Sequence, residues 1–278
     1  MTARVPVIGH IVHCNPDAPH RWELAMIEAL SRQTINAGAL PVVVTDVEVE
    51  PTEELQQALR RGVVDAVAIT AFSCRTTWVD ELARSGMPVV MVGPHPTAQL
   101  PFVTIDGRAA ITTLIRHLAE QGRRRIGLIA ARSQRGDMAS RVDGWRRGLA
   151  DAQLLQDDDL LVEGDFTPES GAVAALELRE RNADAIIAVT DAMAHGAIAA
   201  LEEAGVDVPG DIAVAGIDGA GRLDGRLTTV CQPFDLIAET IVAELLIQLD
   251  GHEPSRETLL LGDLTVGTST VATAHSWS

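Results

Sequence analysis

The chain has 278 residues, 46% hydrophobic and 22% charged, with 39 acidic against 22 basic side chains and a formal net charge of −17. That composition belongs to a folded protein with one large core or two smaller ones. It disfavours a surface built to grip a phosphate backbone or an anionic membrane, which needs clustered basic residues. All 22 basic residues are arginines, and the lack of lysine removes a Schiff-base mechanism, a pyridoxal-phosphate anchor and a Walker lysine together.

In chain order, the first strand is predicted at "VPVIGHIV" (5–12), an apolar run broken by Gly9 and His10 with no small-residue cleavage site after it. It is not a signal peptide. Further strands are predicted at "LPVVVTDV" (40–47), "VDAVAIT" (64–70), "PVVMVG" (88–93), "RIGLIAA" (125–131) and "DLLVEGDF" (159–166). The last three are "AIIAVT" (185–190), "IAVAGI" (212–217) and "LTTVCQP" (227–233). These runs are continuously apolar rather than alternating, as strands covered on both faces should be.

Between them lie helices with clear punctuation: one opens at Thr52 and stops at Gly62, another runs from Asp106 to Gly122, a third from Asp191 to Gly205. Each has an oxygen acceptor to cap its start and a glycine that can turn left-handed at its end. Strand–helix alternation predicts parallel sheets with right-handed crossovers. Nine strands exceed one comfortable sheet for this length, so the expected fold is α/β with two doubly wound parallel-sheet lobes. No apolar run reaches membrane-spanning length, and Cys14, Cys74 and Cys231 form no paired framework, so a reducing, cytoplasmic setting is expected.

Two strands end on carboxylates, Asp191 and Asp218, at the sheet edge where ligands of such folds bind. Asp191 precedes a helical run and is expected to be its N-cap. Asp218 is followed by "GAGRLDG", which offers no helix to cap, and is expected to face a ligand. That glycine-rich stretch lacks the third glycine of a dinucleotide fingerprint. His10 and His13 point to opposite faces of a strand, and "DDD" at 157–159 has no calcium-loop ladder after it. No nucleophile–base set can be assembled, so neither catalysis, nor a cofactor, nor a metal is expected.

Six segments in order resemble the effector-binding core of lactose-repressor-like (LacI/GalR family) transcription regulators: "VDAVAIT…ARSGMPVVMVG", "FVTIDGRAAITTLIRHLAEQGRRRIGLIAA", "SRVDGWRRGLADA", "GDFTPESG", "DAIIAVTDAMAHGAIAALEEAGVDVPGDIAVAGIDG" and "LTTVCQPFDLIAETIVAELL". The resemblance implies two periplasmic-binding-protein-like lobes joined by three crossovers near 122, 234 and 263. The lobes would be 1–122 plus 234–262, and 123–233 plus 263–278. The chain starts almost at the first strand, so the family's helix-turn-helix and hinge helix are expected to be absent, and operator DNA contact to need them.

Carried over residue by residue, the implied effector contacts are Asp106, Arg141 of the "R-x-x-G-W" pattern, Phe166 of "GDF", Thr190, Asp218 and Phe234. Arg135 and, in the first-strand loop, His13, Asp17 and Trp22 complete the candidate set. An arginine fork and carboxylates satisfy hydroxyls or a polar ring edge, and aromatic faces stack on a sugar or a planar base. A sugar or polyol is the expected effector, with a nucleobase or nucleoside second. The structural alternative for Asp218 and Arg141 is an ion pair with each other, and a cleft arginine is expected to be partly solvated. Two departures stand out: Gly219 where the family often has a second acid or amide, and Gly267 where it usually has an arginine before "ST". A homodimer is implied, through apolar faces of helices near 75–86 and 235–250. The competing readings are the solute-binding protein of a sugar ABC transporter and an enzyme on a doubly wound scaffold.

Overall fold

A computed structural model of the chain describes residues 4–13, 21–46, 53–70, 77–95, 98–131, 136–220 and 225–271. In chain order the elements are β1 (Val7–His13), α1 (Arg21–Asn36), β2 (Leu40–Asp46), α2 (Glu53–Arg60), β3 (Ala66–Ile69), α3 (Thr77–Ser85), β4 (Val89–Val92) and β5 (Phe102–Ile105). Then come α4 (Gly107–Glu120), β6 (Ile126–Ala131), α5 (Gly136–Asp151), β7 (Leu161–Gly164), α6 (Pro168–Glu180), β8 (Ala185–Ala188) and α7 (Asp191–Glu203). The chain continues through β9 (Ala213–Asp218), β10 (Thr228–Cys231), α8 (Phe234–Leu249), β11 (Glu257–Leu260) and β12 (Asp263–Thr265).

The chain divides into two compact units. Unit 1 is Met1–Ile105 with Gln134–Gly136 and Pro233–Leu260; unit 2 is Asp106–Ser133 with Asp137–Gln232 and Leu261–Ser278. Unit 1 holds a sheet in the order β11-β5-β4-β3-β1-β2, all parallel. Its apolar strands serve both faces by simple alternation. Ala66 and Ala68 of β3 pack with Met26 and Leu30 of α1 and with Ile237, Ile241 and Leu245 of α8. Val67 and Ile69 pack on the other face with Leu59 of α2 and Trp78, Val79 and Leu82 of α3.

Unit 2 holds the order β12-β10-β9-β8-β6-β7, parallel except for β12, which runs antiparallel to β10. Helix α4 packs on β8, β9 and β10 of this sheet. The first passage from sheet to sheet therefore falls at Ile105–Asp106, not near 122. A helix leaving an edge strand carries no local mark of the sheet it will cover, and only the packing decides. The segment after β12 is tied down by buried hydroxyls: Ser269 Oγ accepts the Thr228 N–H at 2.9 Å, and Thr270 meets His117 Nε2 at 2.8 Å. At Gly267 a Cβ would come within 2.4 Å of the Arg226 carbonyl oxygen, so the departure to glycine suits a close backbone approach.

Three strands escaped sequence prediction, namely β5, β11 and β12. They are three or four residues long and largely half-exposed, without the continuous apolar run that marks the others. The helices expected to offer apolar surface do so only in part. Trp78, Val79 and Leu82 of α3 are buried in unit 1, as are Ile237, Ile241 and Leu245 of α8, whereas Leu236 and Ile247 of α8 are exposed. Other exposed apolar side chains of unit 1 include Leu40, Val42 and Val43 on the edge strand β2 and Leu24 and Ile35 on α1. Among the described residues no helix is long and apolar enough to cross a membrane.

Candidate functional site

The carboxyl edge of the second sheet gathers five of the sequence-predicted residues in unit 2: Asp106, Arg141, Phe166, Thr190 and Asp218. Asp218 is the last residue of β9 and is 8% exposed. Its Oδ1 accepts Gln232 Nε2–H at 2.8 Å, and its Oδ2 accepts the Asp191 N–H at 3.4 Å. The backbone leaves the strand through φ values of 151° at Asp218 and 63° at Gly219. A non-glycine residue tolerates such a conformation only when its surroundings enforce it, and such sites cluster where ligands bind.

Asp191 departs from expectation. The N-cap of α7 is Thr190, with φ −139° and ψ 153°, whose hydroxyl accepts the Met193 N–H at 3.3 Å. Asp191 is instead the first helical residue, and its carboxylate turns to the sheet. Oδ1 accepts the Thr229 hydroxyl at 2.6 Å and Oδ2 the Gly219 N–H at 2.8 Å. Two adjacent acceptors compete for one cap, and the extended residue wins it, because only there does the side chain reach back over the first turn.

Electrostatics follow from this crowding. Burial pushes the Asp218 carboxyl well above the usual carboxylate range, and the neighbouring Asp191 pushes it further; the charge of Arg141 and the bonds from Asp191 and Gln232 pull it back. Burial also raises Asp191, against the opposing bonds from Thr229 and Gly219.

Arg141, on α5, is 4% exposed, where partial solvation was expected. Its Nη1 donates to the Val189 carbonyl at the end of β8, and its Nη2 lies 3.8 Å from Asp137. Among the described residues no salt-bridge contact joins it directly to Asp218, although its charge still favours the ionised Asp218 carboxyl. Its Nε is buried without a hydrogen-bond partner among the described residues. The stem of Arg141 lies against Gly107, where a Cβ would come within 2.9 Å of Arg141 Cγ. Close packing of α4 on α5 thus brings Arg141 to the N-terminus of α4. There Asp106 caps the helix, accepting the Ala109 N–H at 2.9 Å.

Phe166 follows β7 in a left-handed conformation, φ 74°, rare for a bulky side chain. The turn around it is pinned by Asp165, whose Oδ1 accepts the Thr167 N–H at 3.1 Å and hydroxyl at 2.5 Å, and by Thr167, the N-cap of α6. In unit 1, Trp22 and Phe234 meet edge to face with centroids 6.3 Å apart. Asp17, Arg135 and the side chain of His13 lie outside the described residues. Unit 1 also carries a pocket of about 450 Å³ beside Leu59, Asp65, Trp78, Leu82 and Met87, near the amino ends of β3 and β4. It collects none of the predicted residues.

Sequence reasoning missed Gln232 and Thr229, the partners of Asp218 and Asp191. Their only signal was position, Thr229 within and Gln232 just after a strand that pairs in parallel with β9.

Residues 115–270 match the periplasmic binding protein-like domain family. The HTH-type transcriptional regulator MalR of Streptomyces coelicolor is 30% identical over 260 residues, 88% of this chain and 74% of that protein. Catabolite control protein A of Priestia megaterium is 32% identical over 178 residues, 62% of this chain and 54% of that protein. Among solved structures, a complex of the transcriptional regulator CelR with cellobiose superposes with a TM-score of 0.85 at 27% identity, covering 96% of this chain and 85% of that one. A LacI-family regulatory protein from Chloroflexus aggregans gives 0.83 at 25% identity, covering 95% and 98%.

Proposed function

The chain belongs to the LacI/GalR family of transcription regulators, as its effector-binding core, and on that premise we propose that its effector is a saccharide or polyol gripped by Arg141 and Asp218. The observation that carries the reading is the buried polar edge of the second sheet. Asp218 is held in a strained conformation, Arg141 Nε has no partner among the described residues, and Asp106 and Thr190 lie at the starts of α4 and α7. A carboxyl and a guanidinium at one sheet edge accept from and donate to sugar hydroxyls, and Phe166 supplies an apolar face for a sugar ring. CelR, a structural neighbour, is seen with cellobiose, which agrees with this chemistry. Relatives named as HTH-type regulators favour this reading over a transporter's solute-binding protein.

In this reading the core works in the cytoplasm, and operator DNA is contacted by a helix-turn-helix segment such as its HTH-type relatives are named for. The core forms a two-fold dimer, and the exposed apolar strand β2 with Leu24 and Ile35 of α1 is the surface that would be covered.

The test is a thermal-shift panel of cellobiose, maltose, glucose, sorbitol and adenosine, followed by calorimetry. At least one saccharide or polyol should raise the melting temperature and bind in the micromolar range. A shift with adenosine alone, or with none of the five, would remove the saccharide reading.

A further inference from the structure

Asp191 does a task that no helix cap needs. Thr190 already satisfies the first turn of α7, which frees the Asp191 carboxylate to reach across the sheet edge. It holds two groups far away in sequence, Gly219 N–H at 2.8 Å and Thr229 Oγ1–H at 2.6 Å. Strand β9 makes room for it: at Gly216 a Cβ would stand 2.4 Å from Asp191 Oδ1. Just beyond β9 the turn itself lies close on β10, where a Cβ at Gly219 would stand 2.5 Å from Cys231 Sγ. The carboxylate therefore fills the site of a missing side chain and ties the start of α7, the end of β9 and strand β10 together. The residue caught between these ties is Asp218. Its own carboxylate is oriented by the Asp191 N–H and by Gln232, and its φ of 151° has to be held by something outside itself.

We propose that Asp191 is a positioning residue of the effector site, fixing through Gly219 and Thr229 the turn that aims the Asp218 carboxylate. The proposal rests on the reading of Asp218 as an effector contact. Its geometric half does not, since the turn is held whether or not a ligand is bound. Asparagine should do the same work as aspartate here, with its carbonyl oxygen accepting Gly219 N–H and its amide donating to a reoriented Thr229 hydroxyl. Alanine leaves both groups unheld.

The experiment uses the whole chain with two readouts. The first is amide hydrogen exchange at Gly219, measured by NMR without any sugar. The second is calorimetric titration with cellobiose. In Asp191→Ala, exchange at Gly219 should quicken by about tenfold or more while core amides of β8 stay protected. Cellobiose affinity should fall by about tenfold, the usual consequence of a misaimed buried hydrogen-bonding group. Asp191→Asn should keep both within about twofold of the parent, which a residue acting only through its charge would not allow. Unchanged exchange in Asp191→Ala, or faster exchange with unchanged affinity, overturns the proposal. If Asp191→Ala does not fold, Thr229→Val removes one of the two anchors and should loosen Gly219 in the same direction. If the parent does not bind cellobiose, the saccharide reading fails for that probe, and the exchange readout still decides whether Asp191 holds the turn.

Discussion

The N–H of Gly219 points at the Asp191 carboxylate from 2.8 Å, so the acid that follows one strand holds the turn that ends the next. One consequence is that two carboxyls share a buried corner, since the Asp191 N–H also faces Asp218 at 3.4 Å. A corner arranged this way carries the cost of burying a second carboxyl beside the first.

That cost is measurable. Asp218 is raised by burial and by Asp191, so the folded state holds a proton that the unfolded chain gives up near the ordinary carboxylate value. Stability from this group is present at low pH and is lost as pH rises from that value towards the raised folded one. Asp218→Asn keeps the Gln232 bond and cannot ionise. Its melting temperature should gain on the parent's as pH goes from about 4 to about 7, by about 2–4 °C for each kcal/mol of charge-burial cost. Parallel melting curves for the two proteins across that range would contradict it.

Capping belongs to Thr190. Thr190→Ala should destabilise the chain by about 0.5–2 kcal/mol, because the Met193 N–H loses its acceptor. Denaturant unfolding measures it, and a stability unchanged by the substitution would mean that Asp191 takes over the cap.

In unit 1, His10 is buried on β1 with Nε2 against the Thr34 hydroxyl at 3.0 Å, and burial pushes it down to about 4. Here the unfolded chain takes the proton first. Stability is full above the ordinary histidine value and falls as pH drops towards 4, by up to about 3 kcal/mol. His10→Leu should flatten that slope in an acid titration followed by circular dichroism; an undiminished slope would assign it to other groups.

For the dimer, Val43 on β2 is 41% exposed beside Val42 and Leu40. Val43→Arg should give a monomer by sedimentation at micromolar concentration where the parent is a dimer. A dimer that survives the change uses another surface.

The legible parts of this molecule were those written locally. Runs such as 185–190 and 212–217 are apolar without a break because both faces of β8 and β9 are covered, and they were readable as strands. Strand β11 shows half-exposed alternation, and β12 has only three residues, so neither carries that signal. At the sheet edge, Asp218 stood out in the sequence as a strand-end acid because no helix followed for it to cap. The role of Asp191 was not, because its partners lie 28 and 38 residues further on, and only the parallel pairing of β9 with β10 brings them within reach. The burial of Arg141 was hidden for a similar reason. Its place depends on α4 joining the second sheet, which the residues of α4 do not announce.

The most direct measurement is calorimetric titration of the saccharides and the polyol of the panel into the parent chain and into Asp218→Ala. The account predicts micromolar binding of at least one of them to the parent and a loss of about ten- to a hundredfold in Asp218→Ala, because ligand hydroxyls left without a partner cost roughly 1.5–3 kcal/mol. Equal affinity in the two proteins would contradict the assignment of Asp218 to the effector site.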